Sequence, residues 1–132
     1  MQYLLDTHVL AYWLTKHRKL QRGHAQILKR LERSGHRAAV SCFTLWELAM
    51  LVQSGRLQVD EPLERWLNKI EEMPTLEILP ITSSIAADSV QLGADFHGDP
   101  ADRIIVATAR CHRLQLLTSD VRIIRWAAAG GR

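Results

Sequence analysis

Short apolar runs alternate with helix-patterned stretches along this whole chain. That rhythm narrows its folds more than any other feature, because it is the pattern of a parallel sheet joined by crossover helices. The strand-like runs are Tyr3–Leu5, Ala38–Ser41, Leu76–Leu79 and 115–118. After the first run the chain turns at Asp6-Thr7 into a helix carrying Val9, Leu10, Trp13 and Leu14, and a second helix sets Ile27, Leu28 and Leu31 on one face before stopping at Gly35. Thr44-Leu45-Trp46-Glu47 fits the capping-box pattern at the start of a helix reaching about Gln53, with Gly55 to end it. Asp60-Glu61-Pro62 opens a helix closed by Pro74, and Ser83 or Ser84 is placed to cap the next. The clearest helix starts with Asp99 as N-cap and Pro100 at its first position, and runs to near Leu114.

No linker, repeat or low-complexity tract divides the 132 residues, so one domain with one site is expected. Hydrophobic residues make up 47% and charged residues 23%, which fits a soluble globular chain and excludes a disordered or fibrous one. The net charge of +3 permits a polyanionic partner without requiring one. Cys42 and Cys111 stand far apart with no metal-ligand spacing, so neither a disulfide framework nor a zinc site is indicated. The apolar start is cut at once by Asp6 and no stretch is long enough to span a bilayer, so the expectation is a cytoplasmic protein with no membrane association.

Asp6, Glu47, Asp102 and Asp120 share one kind of place, the C-terminal end of a strand or the first turn of the helix after it. In an open α/β sheet these places converge on one edge, the crevice where such folds bind ligands. Clustered carboxylates repel one another unless a hard cation neutralises them, and oxygen-only ligands select Mg2+ or Mn2+. A cation so held activates water against a phosphodiester, which makes phosphodiester hydrolysis the inferred chemistry. Each acid alone also has a plainer reading. Asp6 can cap the first helix, Glu47 can be the reciprocal partner of Thr44, Asp102 can answer the helix dipole, and Asp120 can be a turn residue. Their recurrence at the same point of successive strand-helix units, which Asp60, Asp88 and Asp95 do not share, favours the site.

The segments Leu4-Leu5-Asp6-Thr7-His8-Val9-Leu10, Ser41 through Thr44-Leu45-Trp46-Glu47-Leu48-Ala49, Asp99-Pro100-Ala101-Asp102-Arg103-Ile104-Ile105-Val106-Ala107-Thr108-Ala109 and Leu117-Thr118-Ser119-Asp120 resemble the PIN domain in its VapC-like toxin branch. The order and spacing agree over nearly the whole chain. The resemblance implies a three-layer α/β/α sandwich around a short parallel sheet of four or five strands, occupying residues 1–126. It implies an Mg2+- or Mn2+-dependent ribonuclease, the toxin of a type II toxin-antitoxin pair, blocked by a cognate antitoxin and forming a homodimer. The family's metal-cluster acids fall on Asp6, Glu47, Asp102 and Asp120. The family usually adds a fifth short strand after the helix that follows its last acid. Here Arg122 to Trp126 is followed only by Ala127-Ala128-Ala129-Gly130-Gly131-Arg132, so residues 127–132 are expected to be a frayed tail.

Around the four acids stand secondary candidates. Asp99 is read first as an N-cap and second as a holder of a bound water; Thr118 or Ser119 can orient that water or simply close a turn; His8 is structural or supports a neighbouring acid. Arg103, Arg110 and Arg113 on one helix can touch RNA phosphates, against a default of a solvated face. Tyr12, Trp13, Trp46 and Met50 exceed what two short helices need to bury, so part of that surface is expected to meet a partner chain. A housekeeping PIN nuclease and a catalytically silent binding module are the competing readings. A haloacid-dehalogenase-type phosphatase is disfavoured because Asp-x-Asp is replaced by Asp6-Thr7-His8, and a receiver domain because paired early acids are missing.

Overall fold

Each expected apolar run forms a strand, since β-branched and aliphatic residues flanked by polar turns fit a sheet buried on both faces. In the computed structural model, which describes residues 1–96 and 99–128, the strands are β1 (Tyr3–Leu5), β2 (Ala38–Ser41), β3 (Leu76–Leu79) and β4 (Gln115–Leu117). All pair in parallel in the order β3-β2-β1-β4. Parallel neighbours cannot be joined by a tight turn, and helices make the connections. They are α1 (Thr7–Leu14), α2 (Arg22–Ser34), α3 (Cys42–Gln53), α4 (Leu63–Glu71), α5 (Ser83–Val90), α6 (Pro100–His112) and α7 (Val121–Ala128).

Strand side chains alternate between two cores. Tyr3, Leu5, Ala38, Val40, Leu76 and Leu117 pack with Leu28, Leu48 and Ile70 from α2, α3 and α4 on one face. On the other face Leu4, Ala39 and Leu79 pack with Ile105 and Ala109 of α6. Helices therefore cover both faces, and the three-layer α/β/α sandwich is the architecture observed. A third cluster joins Leu92, Phe96, Val106, Ile123 and Trp126, with the Phe96 and Trp126 rings meeting edge to face at 5.0 Å between centroids. It docks α7 on α6.

Two helix starts differ from expectation. The N-cap of α3 is Ser41, whose hydroxyl accepts from Phe43 N at 3.1 Å, and not Thr44. β2 runs into α3 with no intervening loop, so the last strand residue is the cap and Thr44 and Glu47 both lie inside the helix. The N-cap of α5 is Thr82, bonded by Ile85 N, and not Ser83 or Ser84. At the C-terminal side α7 continues through Ala128, so Ala127 and Ala128 belong to a helix. The rest of the expected tail, and any fifth strand after it, lies outside the described residues. No helix among the described residues is long and apolar enough to cross a membrane.

Candidate active site

The C-terminal edge of the sheet is built around Asp6, which follows β1 directly and caps α1. Its Oδ1 accepts from Thr7 N at 2.8 Å and its Oδ2 from the Thr118 hydroxyl at 2.7 Å. Asp6 N donates to Leu117 O at 3.0 Å, which locks this turn to the end of β4. The same Thr118 hydroxyl accepts from Asp120 N at 3.0 Å, so one side chain joins the loops that carry two of the acids. Only 6% of Asp6 is exposed, and burial pushes its carboxyl above the usual range. The Thr118 and Thr7 bonds and nearby His8 pull it down, and Asp120 adds to the upward push.

Glu47 reaches the same edge from α3. The Thr7 hydroxyl donates to its Oε1, and that hydroxyl lies 3.0 Å from the Thr44 hydroxyl. Thr7 spends its single proton on Glu47, so Thr44 donates to Thr7. The reading of Glu47 as a capping partner of Thr44 is thereby replaced: both are tied to Thr7 at the start of α1. Burial pushes the Glu47 carboxyl up to about 6 despite the Thr7 bond, and Asp6, Asp102 and Asp99 push in the same direction. Three other acids are thus near enough to be felt.

Asp102 stands in the first turn of α6, and Asp99 caps that helix by accepting from Ala101 N at 2.9 Å. Asp120 accepts from Arg122 N at 2.9 Å through Oδ1, and its carbonyl oxygen accepts from Ile124 N, so it also begins α7. Asp6, Glu47, Asp102 and Asp120 line one pocket of about 290 Å3, together with Asp99, His8, Tyr12, Ser119 and Arg122. Among the described residues no three His, Cys, Asp or Glu side chains already stand in metal-holding geometry. The acids share a pocket without closing on one point. A larger cavity of about 650 Å3, lined by Val106, Ile123 and Trp126 between α6 and α7, contains none of them.

A model of the PIN domain matches residues 3–129. The chain belongs to the PIN-domain family. Ribonuclease VapC22 of Mycobacterium tuberculosis is 36% identical to this PIN domain over 120 residues, 91% of this chain and 88% of that one. Among solved structures, a toxin-antitoxin complex from Klebsiella pneumoniae superposes with a TM-score of 0.62 at 27% identity, covering 90% of this chain and 87% of that one. VapBC2 from Rickettsia felis, bound to a promoter DNA fragment, has the same fold at a TM-score of 0.70 and 21% identity, covering 95% and 92%.

The arginines of α6 stand elsewhere in this PIN domain. The Arg103 guanidinium donates to the carbonyl oxygens of Ser89 and Phe96 at 3.3 and 3.4 Å and lies over the Phe96 ring. Arg110 pairs with Asp88 of α5 at 3.1 Å, and Arg113 ends α6 in the left-handed region at φ 56°. None of the three lines the acidic pocket. The arginine that does is Arg122, 3.6 Å from Asp120 Oδ2. Sequence reading missed it, along with the Thr7 and Thr44 hydroxyls; Thr7, directly after Asp6 on the same turn, was the one visible signal. Of the surplus apolar side chains, Trp13 packs against the core, whereas Trp46 is 57% and Met50 47% exposed on α3.

Proposed function

We propose that this PIN domain is a divalent-metal-dependent endoribonuclease and the toxin of a type II toxin-antitoxin pair. The observation that carries the reading is the convergence of Asp6, Glu47, Asp102 and Asp120 from four separate elements on one pocket. Their donor set is all oxygen, which fits a hard cation. Burial first, and the neighbouring acids second, push the carboxyls of Asp6 and Glu47 up, and a bound cation would offset both effects. These four residues would hold Mg2+ or Mn2+. When bound, such an ion supplies an activated water and neutralises charge on the phosphodiester. The protein's own part is orientation. Thr7 fixes Glu47, Thr118 fixes Asp6, and Asp99 anchors the first turn of α6 from which Asp102 enters the pocket. Ser119 and His8 rim the pocket, where they can position water or RNA.

The likeness to toxin-antitoxin complexes and the exposed Trp46 and Met50 support a small antitoxin as the partner that covers the site, with a homodimer as the working assembly. RNA as the substrate and two free cysteines support a cytoplasmic site of action. The test is RNA cleavage by the purified protein. It should require Mg2+ or Mn2+, stop with a chelator and leave 5′-phosphate ends, and expression without the antitoxin should arrest growth. Chelator-resistant cleavage giving cyclic 2′,3′-phosphates overturns the mechanism, absence of any cleavage returns a silent binding module, and unarrested growth with soluble protein removes the toxin role.

A further inference from the structure

A pocket of carboxylates repels the polyanion it is proposed to cut, so the substrate must be held by something beside it. We infer that the α1–α2 turn holds single-stranded RNA as it leaves the acidic pocket, through a ladder of three rings, His8, Tyr12 and His17, flanked by Lys16, Arg18, Lys19 and Arg22. The inference rests on the ribonuclease reading and names where its substrate lies.

The ladder begins inside the site. His8 and Tyr12 both line the acidic pocket, and their ring centroids are 5.9 Å apart. Tyr12 in turn stacks on His17 at 4.8 Å with the planes 28° apart, which carries the ring series from the pocket to an exposed residue. The turn is built to present it. Lys16 adopts the left-handed conformation at φ 52°, His17 N donates to Tyr12 O at 2.8 Å, and Lys19 N donates to His17 Nδ1 at 3.0 Å, which fixes the imidazole plane.

The charge lies around the last ring of the series, in residues 16–22. Lys16, Arg18, Lys19 and Arg22 are all exposed, and none is in an ion pair among the described residues. Four unpaired cations exceed the net +3 of the whole chain, so the basic excess is concentrated here. By contrast Arg103 and Arg110 are already engaged within the protein. Ring faces interleaved with cations are how proteins hold single strands: unstacked bases lie on the rings while the phosphates follow the charges. A duplex hides its base faces and gains only the phosphate interactions.

Fluorescence anisotropy with single-stranded and duplex RNA, in an Asp102→Asn background that spares the RNA, tests this. Tyr12→Leu and the surface variant His17→Ala should each weaken single-strand binding by about tenfold, the loss of roughly one stacked base, and change duplex binding far less. Lys16→Gln/Arg18→Gln/Lys19→Gln should weaken both and flatten the salt dependence by about 0.7 in slope for each phosphate no longer neutralised. In the cleaving protein His17→Ala and the Lys16→Gln/Arg18→Gln/Lys19→Gln variant should raise KM with kcat little altered, at unchanged melting temperature for His17→Ala. If the starting protein cleaves RNA and all these variants keep its Kd, salt slope and KM, the ladder is overturned and the ribonuclease reading stands. If it neither binds nor cleaves RNA, both fall. Variants that keep RNA binding but fail to capture a co-expressed antitoxin assign the surface to a protein partner and overturn the inference as well.

Discussion

Glu47→Gln should make the metal-free protein more stable, and only above a definite pH. An unfolded glutamate titrates near 4.5, whereas in the folded protein burial and the neighbouring acids lift Glu47 to about 6. The folded state therefore holds this proton more tightly. Below pH 4.5 the group costs nothing; between 4.5 and 6 stability falls as the pH rises; above 6 the full cost is present. The interval from 4.5 to about 6 corresponds to about 2 kcal/mol, at about 1.4 kcal/mol for each tenfold step in proton affinity. Glu47 is half-buried, and screening by water reduces this to about 1 kcal/mol. Gln keeps the Oε1 that accepts from Thr7 and carries no charge at any pH. Thermal melts in a chelator should show wild type and variant alike at about pH 4.5, with the variant melting about 4 °C higher at about pH 7.5. With Mn2+ at about one hundred times its dissociation constant, wild type should gain about 2.7 kcal/mol and the order should reverse. A difference in melting that is the same at both pH values, or a variant less stable at the higher one, would refute the reasoning.

Asp102→Asn should abolish RNA cleavage while leaving the fold intact, and Mn2+ should raise its melting temperature much less than that of wild type; an active variant would remove Asp102 from the site. Thr118→Val should cost about 1–3 kcal/mol, because it leaves Asp6 Oδ2 without its donor in a buried place, and chemical denaturation would measure the loss. It should also push the Asp6 carboxyl further up, so the variant should lose stability more steeply than wild type as pH rises through the acid range. Gly23→Ala should stabilise by about 0.5–1 kcal/mol, since the residue lies within α2 and an added Cβ meets nothing within 4 Å. An unchanged or lower denaturation midpoint would contradict it.

The strands were legible in the sequence because apolar runs of strand length between turn residues are a local pattern. Asp6, Glu47, Asp102 and Asp120, which line one pocket, were picked out by a looser signal: Asp6 and Asp120 follow strand ends, but Glu47 lies in the second turn of α3 and the helix of Asp102 follows α5 rather than a strand. Interactions across elements were not legible. The Thr44-to-Glu47 spacing matched a capping box, but that pattern carries no information about where the preceding strand stops, and β2 yields its own last residue, Ser41, as the cap. The hydroxyl of Thr7 then becomes available to Glu47 only because β1 and β2 are neighbours in the sheet. Arg103 and Arg110 were visible as charges on one helix face, while the α5 carbonyl and carboxylate that engage them belong to a packing no periodicity encodes. The basic α1–α2 turn was not singled out in the sequence. Its nearness to the acids depends on the left-handed turn that lays His17 on Tyr12.

The bond from Thr118 to Asp6 spans 112 residues, and β1 cannot acquire β4 as its neighbour until that last strand exists. During synthesis β1, β2 and β3 can assemble while Asp120 is still unmade, so a nascent chain carries the first acids of the pocket and none of the clasp that orients them. A truncated product ending before Gln115 lacks both Asp120 and the Thr118 clasp on Asp6, and on the proposed reading it should not cleave RNA however well the rest folds. On the proposed ribonuclease reading, the order of the strands keeps the acidic pocket unclasped until β4 has been made, so the nascent chain gains an ordered site only after all four strands have left the ribosome.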